Sequence, residues 1–206
     1  MLALVFSQKF EIMNVVSYFN GMNCGMLALD KAGIKVDNYY SYEIDKYANI
    51  ISQKNYPNTK QMGSVIDADL SVLPKIDLFI GGSPCQSFST AGDGTGFDGK
   101  SGLFWEFVKA KEVLKPKYWM LENVVMKKEW QKVITNVLGV EPIKINSADF
   151  GAQNRSRLFW TNIPVGEVDF TSNMTIGDIL TNDFSEKTVK DTDRNLRHER
   201  ALDRKS

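Results

Sequence analysis

Short apolar segments typical of strands alternate with helical segments through most of this chain, and this alternation restricts the fold more than any other feature. Residues 15–19 predict a first strand, residues 20–25 a glycine-containing loop and residues 26–31 a helix. Residues 76–80 and 118–121 predict two further strands. Strands that alternate with helices form a mainly parallel sheet flanked by helices, so we expect an α/β fold of the Rossmann-like class.

The remaining segments extend the same pattern. Asp45 is placed to cap a helix that ends before Pro57, and Ser101 is placed to cap a helix that ends before Pro116. The largely aromatic segment 39–42, which precedes Glu43, predicts a second strand. The later predicted elements are a helix at residues 127–138 and strands at residues 143–145 and 158–161.

The composition narrows the class of protein. Lys plus Arg and Asp plus Glu each number 25, so no overall positive charge draws the chain to nucleic acid, and any DNA contact depends on a local patch. Two cysteines without zinc-ligand spacing favour a reducing cytoplasm and predict no metal site. The apolar residues 2–6 are too few for a signal peptide or membrane span, so we expect no membrane association.

The distribution of apolar residues predicts one catalytic domain and a tail. We expect the domain over residues 13–170, where the strand and helix patterns lie, and a polar tail over residues 171–206. Residues 1–12 fit neither part, and Met13 is a candidate natural start.

Polar features follow four predicted strands at their carboxyl ends: residues 20–25, Glu43, residues 83–85 and Glu122. Ligands bind outside the carboxyl ends of strands in open α/β sheets, so these features should share one edge. A carboxylate in the position of Glu43 can accept from both hydroxyls of a ribose, although a solvated Glu is an equal alternative. Cys85 follows Pro84 on a loop where its thiol is placed to react with a bound substrate. The alternative is that Cys85 serves only as a small apolar side chain buried in the core.

Several segments occur in a fixed order along the chain. They are Phe19-Asn20-Gly21 with Gly25, Glu43-Ile44-Asp45, Gly82-Ser83-Pro84-Cys85-Gln86, Gly102-Leu103-Phe104-Trp105-Glu106-Phe107, Glu122-Asn123-Val124 and Gln153-Asn154-Arg155-Ser156-Arg157. Together they resemble the C5-cytosine DNA methyltransferases that use S-adenosylmethionine, particularly the branch with the eukaryotic de novo enzymes. The resemblance covers roughly residues 14–164.

The resemblance implies a covalent mechanism on a cytosine flipped out of DNA. Cys85 matches the nucleophile, whose thiolate adds to C6 so that C5 can take the methyl group. Glu122 would hydrogen-bond N3 and the exocyclic amine, where negative charge develops. Arg157 would contact O2 of the base, and Arg155 would help to orient the base or a phosphate.

The resemblance also implies where S-adenosylmethionine binds. Asn20, Gly21, Asn23 and Gly25 would contact the methionine portion, Glu43 the ribose and Ile44 the adenine, and Phe19, Ser64 and Pro84 complete the set. Ser64 stands where the family usually has an Asp that accepts from the adenine amine, which puts cofactor affinity in doubt. Asp67 could accept from the adenine amine in place of the missing Asp. The alternative is that Asp67 is a solvated residue in a turn.

The chain departs from the family after residue 170, because a target-recognition region and a late cofactor-pocket segment are not visible. Residues 175–180 resemble only the start of that region, so we expect a second domain that is incomplete or absent. Three explanations stay open: a shortened gene, a subunit of a split methyltransferase whose partner supplies target recognition, and a compact enzyme with little sequence preference. Restriction-modification and phage self-protection are candidate settings.

Three other classes of function fit the sequence less well than the methyltransferase. An inactive regulatory subunit has no need to keep Cys85, Glu122 and Arg157 together. A nicotinamide oxidoreductase would account for the first loop and Glu43 but not for the later segments. A cysteine hydrolase is disfavoured because the only histidine, His198, lies in the charged tail.

Overall fold

The computed structural model describes residues 12–84, 97 and 100–166. The strands are β1 (Met13–Tyr18), β2 (Val36–Tyr42), β3 (Lys60–Gln61), β4 (Leu78–Gly81), β5 (Tyr118–Val124), β6 (Ile143–Asn146) and β7 (Ser156–Thr161). The helices are α1 (Cys24–Lys31), α2 (Lys46–Asn55), α3 (Phe104–Leu114) and α4 (Lys128–Leu138). Within the described residues no helix is long and apolar enough to cross a membrane.

The strands form one sheet in the order β3-β2-β1-β4-β5-β7-β6. The pairs from β3 across to β5 are parallel, and β7 runs antiparallel to both β5 and β6. The predicted mainly parallel α/β fold is therefore confirmed. The chain leaves β1 toward β2 on one side and leaves β4 toward β5 on the other, so the order reverses between these neighbouring strands.

Each face of the sheet is packed against helices. Val16, Phe79 and Leu121 belong to one buried cluster together with side chains of α3 and α4. Val15 and Leu78, which alternate with them along β1 and β4, pack with α1 on the other face. Strands buried on both faces need continuous apolar sequence, so the positions of these strands could be predicted from the sequence.

The last strand is fastened to β5 at the edge opposite the carboxyl ends of the parallel strands. Asn162 Nδ2 donates to the Lys117 carbonyl over 3.0 Å, and its Oδ1 accepts from the Trp119 amide over 2.8 Å. The Thr161 hydroxyl donates to the Trp119 carbonyl over 2.6 Å. These contacts fix the register of β7 against β5.

Several predicted boundaries were wrong in informative ways. Phe19 does not extend β1, because its φ of 56° takes the chain out of the strand. Ser101 is not a helix cap, since it lies in a 3-10 turn, Lys100–Leu103, that leads directly into α3. Glu122 and Arg157 lie within β5 and β7 rather than beside them, because pairing between these strands extends both.

The predicted cap of α2 is confirmed, since Asp45 Oδ1 accepts from the amides of Tyr47 and Ala48 over 2.8 Å each. We expect Asp45→Ala to lower the free energy of unfolding by about 1 kcal/mol, because these amides lose their acceptor. Urea denaturation measures the change. Asp45→Asn keeps an acceptor and should cost much less; an equal loss in both variants would contradict the capping explanation.

Candidate active site

Two side chains of opposite charge meet at the carboxyl edge of β5. Arg157 Nε lies 2.8 Å from Glu122 Oε1, and the Arg157 guanidinium also donates to the Ser156 carbonyl over 2.8 Å. The antiparallel direction of β7 makes this contact possible, because its first residues pair with the last residues of β5. Two groups predicted from distant parts of the chain are thus in direct contact.

The Glu122 carboxyl is partly withdrawn from water. Its side chain is 33% exposed, and burial raises the Glu122 pKa although Arg157 and, more weakly, Arg155 pull it down. Burial prevails because it disfavours the charged form more than the two cations favour it. The group is therefore closer to holding a proton at neutral pH than an ordinary carboxyl.

Gly82 leaves room for this carboxyl. A Cβ atom at residue 82 would lie 3.1 Å from Glu122 Oε2, tighter than ordinary contact. A larger side chain would push against Glu122, so the glycine keeps the loop after β4 close to the carboxylate.

Asn123 fastens the loop after β4. Its Nδ2 donates to Ser83 Oγ over 3.0 Å and to the Ser83 carbonyl over 3.3 Å, and both residues are buried. Its Oδ1 accepts from the Val124 amide over 2.8 Å. Cys85 lies outside the described residues, two positions after Ser83, so its predicted place beside Glu122 stays a prediction.

A cavity of about 220 Å³ opens beside the ends of β1, β2 and β4. It is lined by Phe19, Tyr42, Glu43, Ile44, Gly63, Ser64, Val65, Ile66, Pro84 and Leu103. Five of these are predicted cofactor residues: Phe19, Glu43, Ile44, Ser64 and Pro84. Ile44 and Ile66 are 79% and 55% exposed, so two large apolar side chains stand unpacked beside the cavity.

Glu43 joins two loops at this cavity. Its Oε2 accepts from the Gly21 amide over 2.8 Å, and its Oε1 accepts from the amides of Ile44 and Asp45 over 2.9 and 2.8 Å. An ionised carboxylate has about four acceptor positions, so one remains for a further donor such as a hydroxyl. The residue both orders the loop after β1 and keeps an open acceptor.

The position that departs from the family also faces the cavity. The Ser64 hydroxyl accepts from the Ile66 amide over 3.0 Å. Asp67 is exposed and does not line the cavity, which favours the solvated-turn interpretation of this residue.

Other predicted residues of the first loop do not line the cavity. Asn20 and Asn23 are buried with their side chains hydrogen-bonded to each other, and Gly25 lies in the first turn of α1. Gly21 has a φ of +58°, a conformation suited to glycine, and reaches the site through its amide.

Arg155 and Arg157 differ in their surroundings. Arg155 is exposed, and its amide donates to Asn146 Oδ1 over 2.9 Å, whereas the Arg157 side chain is only 19% exposed. The proposed contact of Arg157 with O2 of the base and the orienting role of Arg155 stay predictions. Sequence reasoning gave no separate role to Asn123 and Gly82, although both stand inside the matched segments.

Residues 13–204 match the family model of the C-5 cytosine-specific DNA methylases. The chain belongs to this family. The chain is 32% identical over 165 residues to the type II methyltransferase M.NgoBI of Neisseria gonorrhoeae, with 72% of this chain and 51% of that protein covered. It is 37% identical over 115 residues to the orphan methyltransferase M.SPRI of Bacillus phage SPR, with 54% of this chain and 26% of that protein covered.

A solved structure shares the fold. It is the crystal structure of a DNA modification methyltransferase encoded within a prophage (E. coli), with a TM-score of 0.55 and 25% identity, and the match covers 72% of this chain and 46% of that one. The chain thus spans about a quarter to about half of the length of these relatives.

The environment of Glu122 predicts that the difference in stability between Glu122→Gln and the unsubstituted protein depends on pH. Because burial raises the Glu122 pKa above its unfolded value of about 4.3, the folded protein binds more protons than the unfolded chain between the two values. Its free energy of unfolding therefore falls as pH rises through that interval. Glu122→Gln has no proton to lose there, so its stability relative to the unsubstituted protein should increase as pH rises.

Urea denaturation of both proteins at several pH values between about 4 and 7 measures this difference. Glu141→Gln, at an exposed residue away from the site, is the matched control. If the difference in free energy of unfolding between Glu122→Gln and the unsubstituted protein stays constant with pH, burial does not raise the pKa of Glu122.

Proposed function

We propose that this chain carries the catalytic residues of a DNA cytosine C5-methyltransferase that transfers a methyl group from S-adenosylmethionine to a flipped cytosine. The observation that carries the proposal is the Glu122–Arg157 pair, held against the loop that leads into Cys85. Membership of the methylase family supports the reaction class. The proposed catalytic residues Cys85, Glu122, Arg155 and Arg157 all fall between residues 13 and 170.

In the proposed reaction the Cys85 thiolate attacks C6 of the cytosine, and a bond forms between sulfur and C6. The electron pair of the ring double bond moves to C5, which would form a bond to the methyl carbon as the bond from that carbon to the sulfonium sulfur breaks and S-adenosylhomocysteine leaves. A base then removes the proton from C5, the double bond re-forms and the bond from C6 to sulfur breaks. The Asn123 contacts to Ser83 support this role, because they hold the backbone two residues before the nucleophile.

Glu122 and Arg157 would stabilise the adduct. A protonated Glu122 donates to N3 while its second oxygen accepts from the exocyclic amine, and this neutralises charge as it enters the ring. The raised pKa of Glu122 favours the protonated form. Arg157 has five N–H donors, so it can contact Glu122 and still donate to the base O2.

Flipping explains why the site must bind the base strongly. Unstacking and unpairing a base costs a few kcal/mol, which contacts in a pocket have to offset. The partly buried pair of Glu122 and Arg157 supplies hydrogen-bonding groups for the Watson–Crick edge, which a base exposes only after it leaves the duplex.

The cavity beside β1, β2 and β4 fits the adenosine portion of the cofactor. S-adenosylmethionine supplies the methyl group when it is bound. Glu43 retains an acceptor for the ribose, and Ile44 and Ile66 offer apolar surface for the faces of the adenine. Ser64 presents a hydroxyl that already accepts from the Ile66 amide, so we expect it to hold the adenine amine less well than a carboxylate would.

Covalent trapping tests the chemistry. DNA containing 5-fluorocytosine cannot lose a proton from C5, so incubation with S-adenosylmethionine should leave a stable adduct between DNA and Cys85. Denaturing electrophoresis and peptide mass spectrometry detect it. Cys85→Ser should form none, whereas Cys24→Ser, at the exposed second cysteine, should react normally. Absence of the adduct with the unsubstituted chain, even when a partner subunit is supplied, would overturn the proposed function.

The cofactor site gives a separate prediction. Glu43→Gln should raise the Kd for S-adenosylmethionine at least about tenfold, because hydrogen bonds to a charged group contribute about 1.5–3 kcal/mol. Isothermal titration measures the change, with Glu141→Gln as the control. Unchanged affinity in Glu43→Gln would place the ribose elsewhere.

A further inference from the structure

We propose that a buried chain of four polar side chains positions the loop after β1 for the methionine portion of the cofactor without touching the cofactor. This inference rests on the proposed function and deepens it. The chain, which we name the loop network, consists of Asn20, Asn23, Tyr39 and Thr59.

The loop network connects three parts of the fold. The Tyr39 hydroxyl on β2 donates to Asn20 Oδ1 over 2.9 Å, and Asn20 Nδ2 donates to Asn23 Oδ1 over 2.6 Å. Asn23 Nδ2 then donates to Thr59 Oγ1, just before β3, over 2.7 Å. Each bond lies in the interior, where a polar group left without its partner is costly.

The burial of the asparagines assigns them to the protein rather than to a ligand. Asn23 is 0% exposed and Asn20 is 8% exposed, and both amide groups have partners at their oxygen and their nitrogen. Their side chains therefore have little to offer a bound molecule. The loop must meet its ligand through its backbone, which the network holds from behind.

The loop network stabilises an uncommon backbone conformation at Asn23. Its φ of 72° and ψ of 32° are left-handed, and its side chain does not cap α1 although it occupies the cap position. Asn tolerates this conformation better than most residues, but it still needs support from its surroundings. The bonds to Asn20 and Thr59 provide that support where the loop turns into α1.

Gly25 leaves the space that the loop network needs, because it has no side chain. A Cβ atom at this residue would lie 2.7 Å from the Tyr39 hydroxyl oxygen and would also collide with the Ile80 side chain. The glycine thus lets Tyr39 reach Asn20 beneath the start of α1. Burial raises the pKa of Tyr39, so its hydroxyl stays protonated and remains a donor.

The other end of the loop is held independently. The Gly21 amide donates to Glu43 Oε2, and the Asn20 amide donates to the Tyr42 carbonyl over 3.3 Å. With both ends fixed, the loop is ordered before a ligand arrives, and less binding energy is lost in ordering it.

Thr59 offers a matched test of this positioning role. Thr59→Val keeps the shape but leaves Asn23 Nδ2 without its acceptor, whereas Thr59→Ser keeps the hydroxyl. Thr59→Val should raise the Kd for S-adenosylmethionine about tenfold, and Thr59→Ser should change it less than about twofold. Adenosine, which lacks the methionine portion, should bind both variants nearly as well as it binds the unsubstituted chain.

Amide hydrogen exchange gives a readout that needs no cofactor. Exchange at residues 20–25 should be faster in Thr59→Val than in Thr59→Ser. Equal exchange and equal affinity in the two variants would overturn the loop network's role, as would an equal loss of adenosine and S-adenosylmethionine binding in Thr59→Val. If the unsubstituted chain binds no S-adenosylmethionine, the proposed function fails, and the exchange contrast alone decides the network.

A second pair of variants covers the case in which Thr59→Val does not fold. Tyr39→Phe removes only the hydroxyl that donates to Asn20, while Tyr40→Phe changes the neighbouring residue on the other face of β2. Tyr39→Phe should speed exchange in the loop and weaken S-adenosylmethionine binding, and Tyr40→Phe should do neither. Identical behaviour of the two would count against the network.

Discussion

The site depends on the reversal of strand order between β1 and β4. These strands are neighbours, with Tyr18 opposite Gly81, but the chain leaves them in opposite directions. The loops that follow must therefore separate, and an open α/β sheet binds its ligands in the crevice between such loops. Phe19 and Pro84, one from each loop, line the same cavity. The cavity and the charged pair consequently lie along one edge.

The charged pair shows a compromise between stability and chemistry. A carboxyl that is partly withdrawn from water is less stable in its ionised form, and the neighbouring guanidinium only partly offsets this. A fully solvated Glu would make the fold more tolerant of neutral pH but would hold its proton less readily. The proposed role in stabilising charge on a pyrimidine ring requires that proton, so the environment of Glu122 suits the reaction more than the fold.

Local signals made part of the fold predictable. The Asp45 cap and Pro57 bound α2, and continuous apolar segments identified the central strands, because both depend on residues close together in sequence. The extension of β5 through Glu122 was not predictable, since it depends on pairing with a strand far along the chain. The antiparallel direction of β7 had no local signal either.

The roles of individual site residues divided in the same way. The placement of Glu122, Arg157 and Glu43 at one edge followed from strand ends and from the family resemblance. Asn20 and Asn23 were expected at the cofactor, but their partners Tyr39 and Thr59 lie 19 and 36 residues away, and no sequence pattern connects them. Cys85 and its chemistry remain predictions, because that residue lies outside the described part of the chain.

The contacts that hold β7 at its far end also determine the position of Arg157 beside Glu122. Asn162 and Thr161 hold the strand against β5, and a slip of one residue would turn Arg157 to the opposite face. Arg157 and Asn162 are separated by about 17 Å along an extended strand. Activity would thus depend on the side-chain amide of Asn162 at the opposite edge of the sheet. A substitution of Asn162 would lower activity in the same way as a substitution of Arg157.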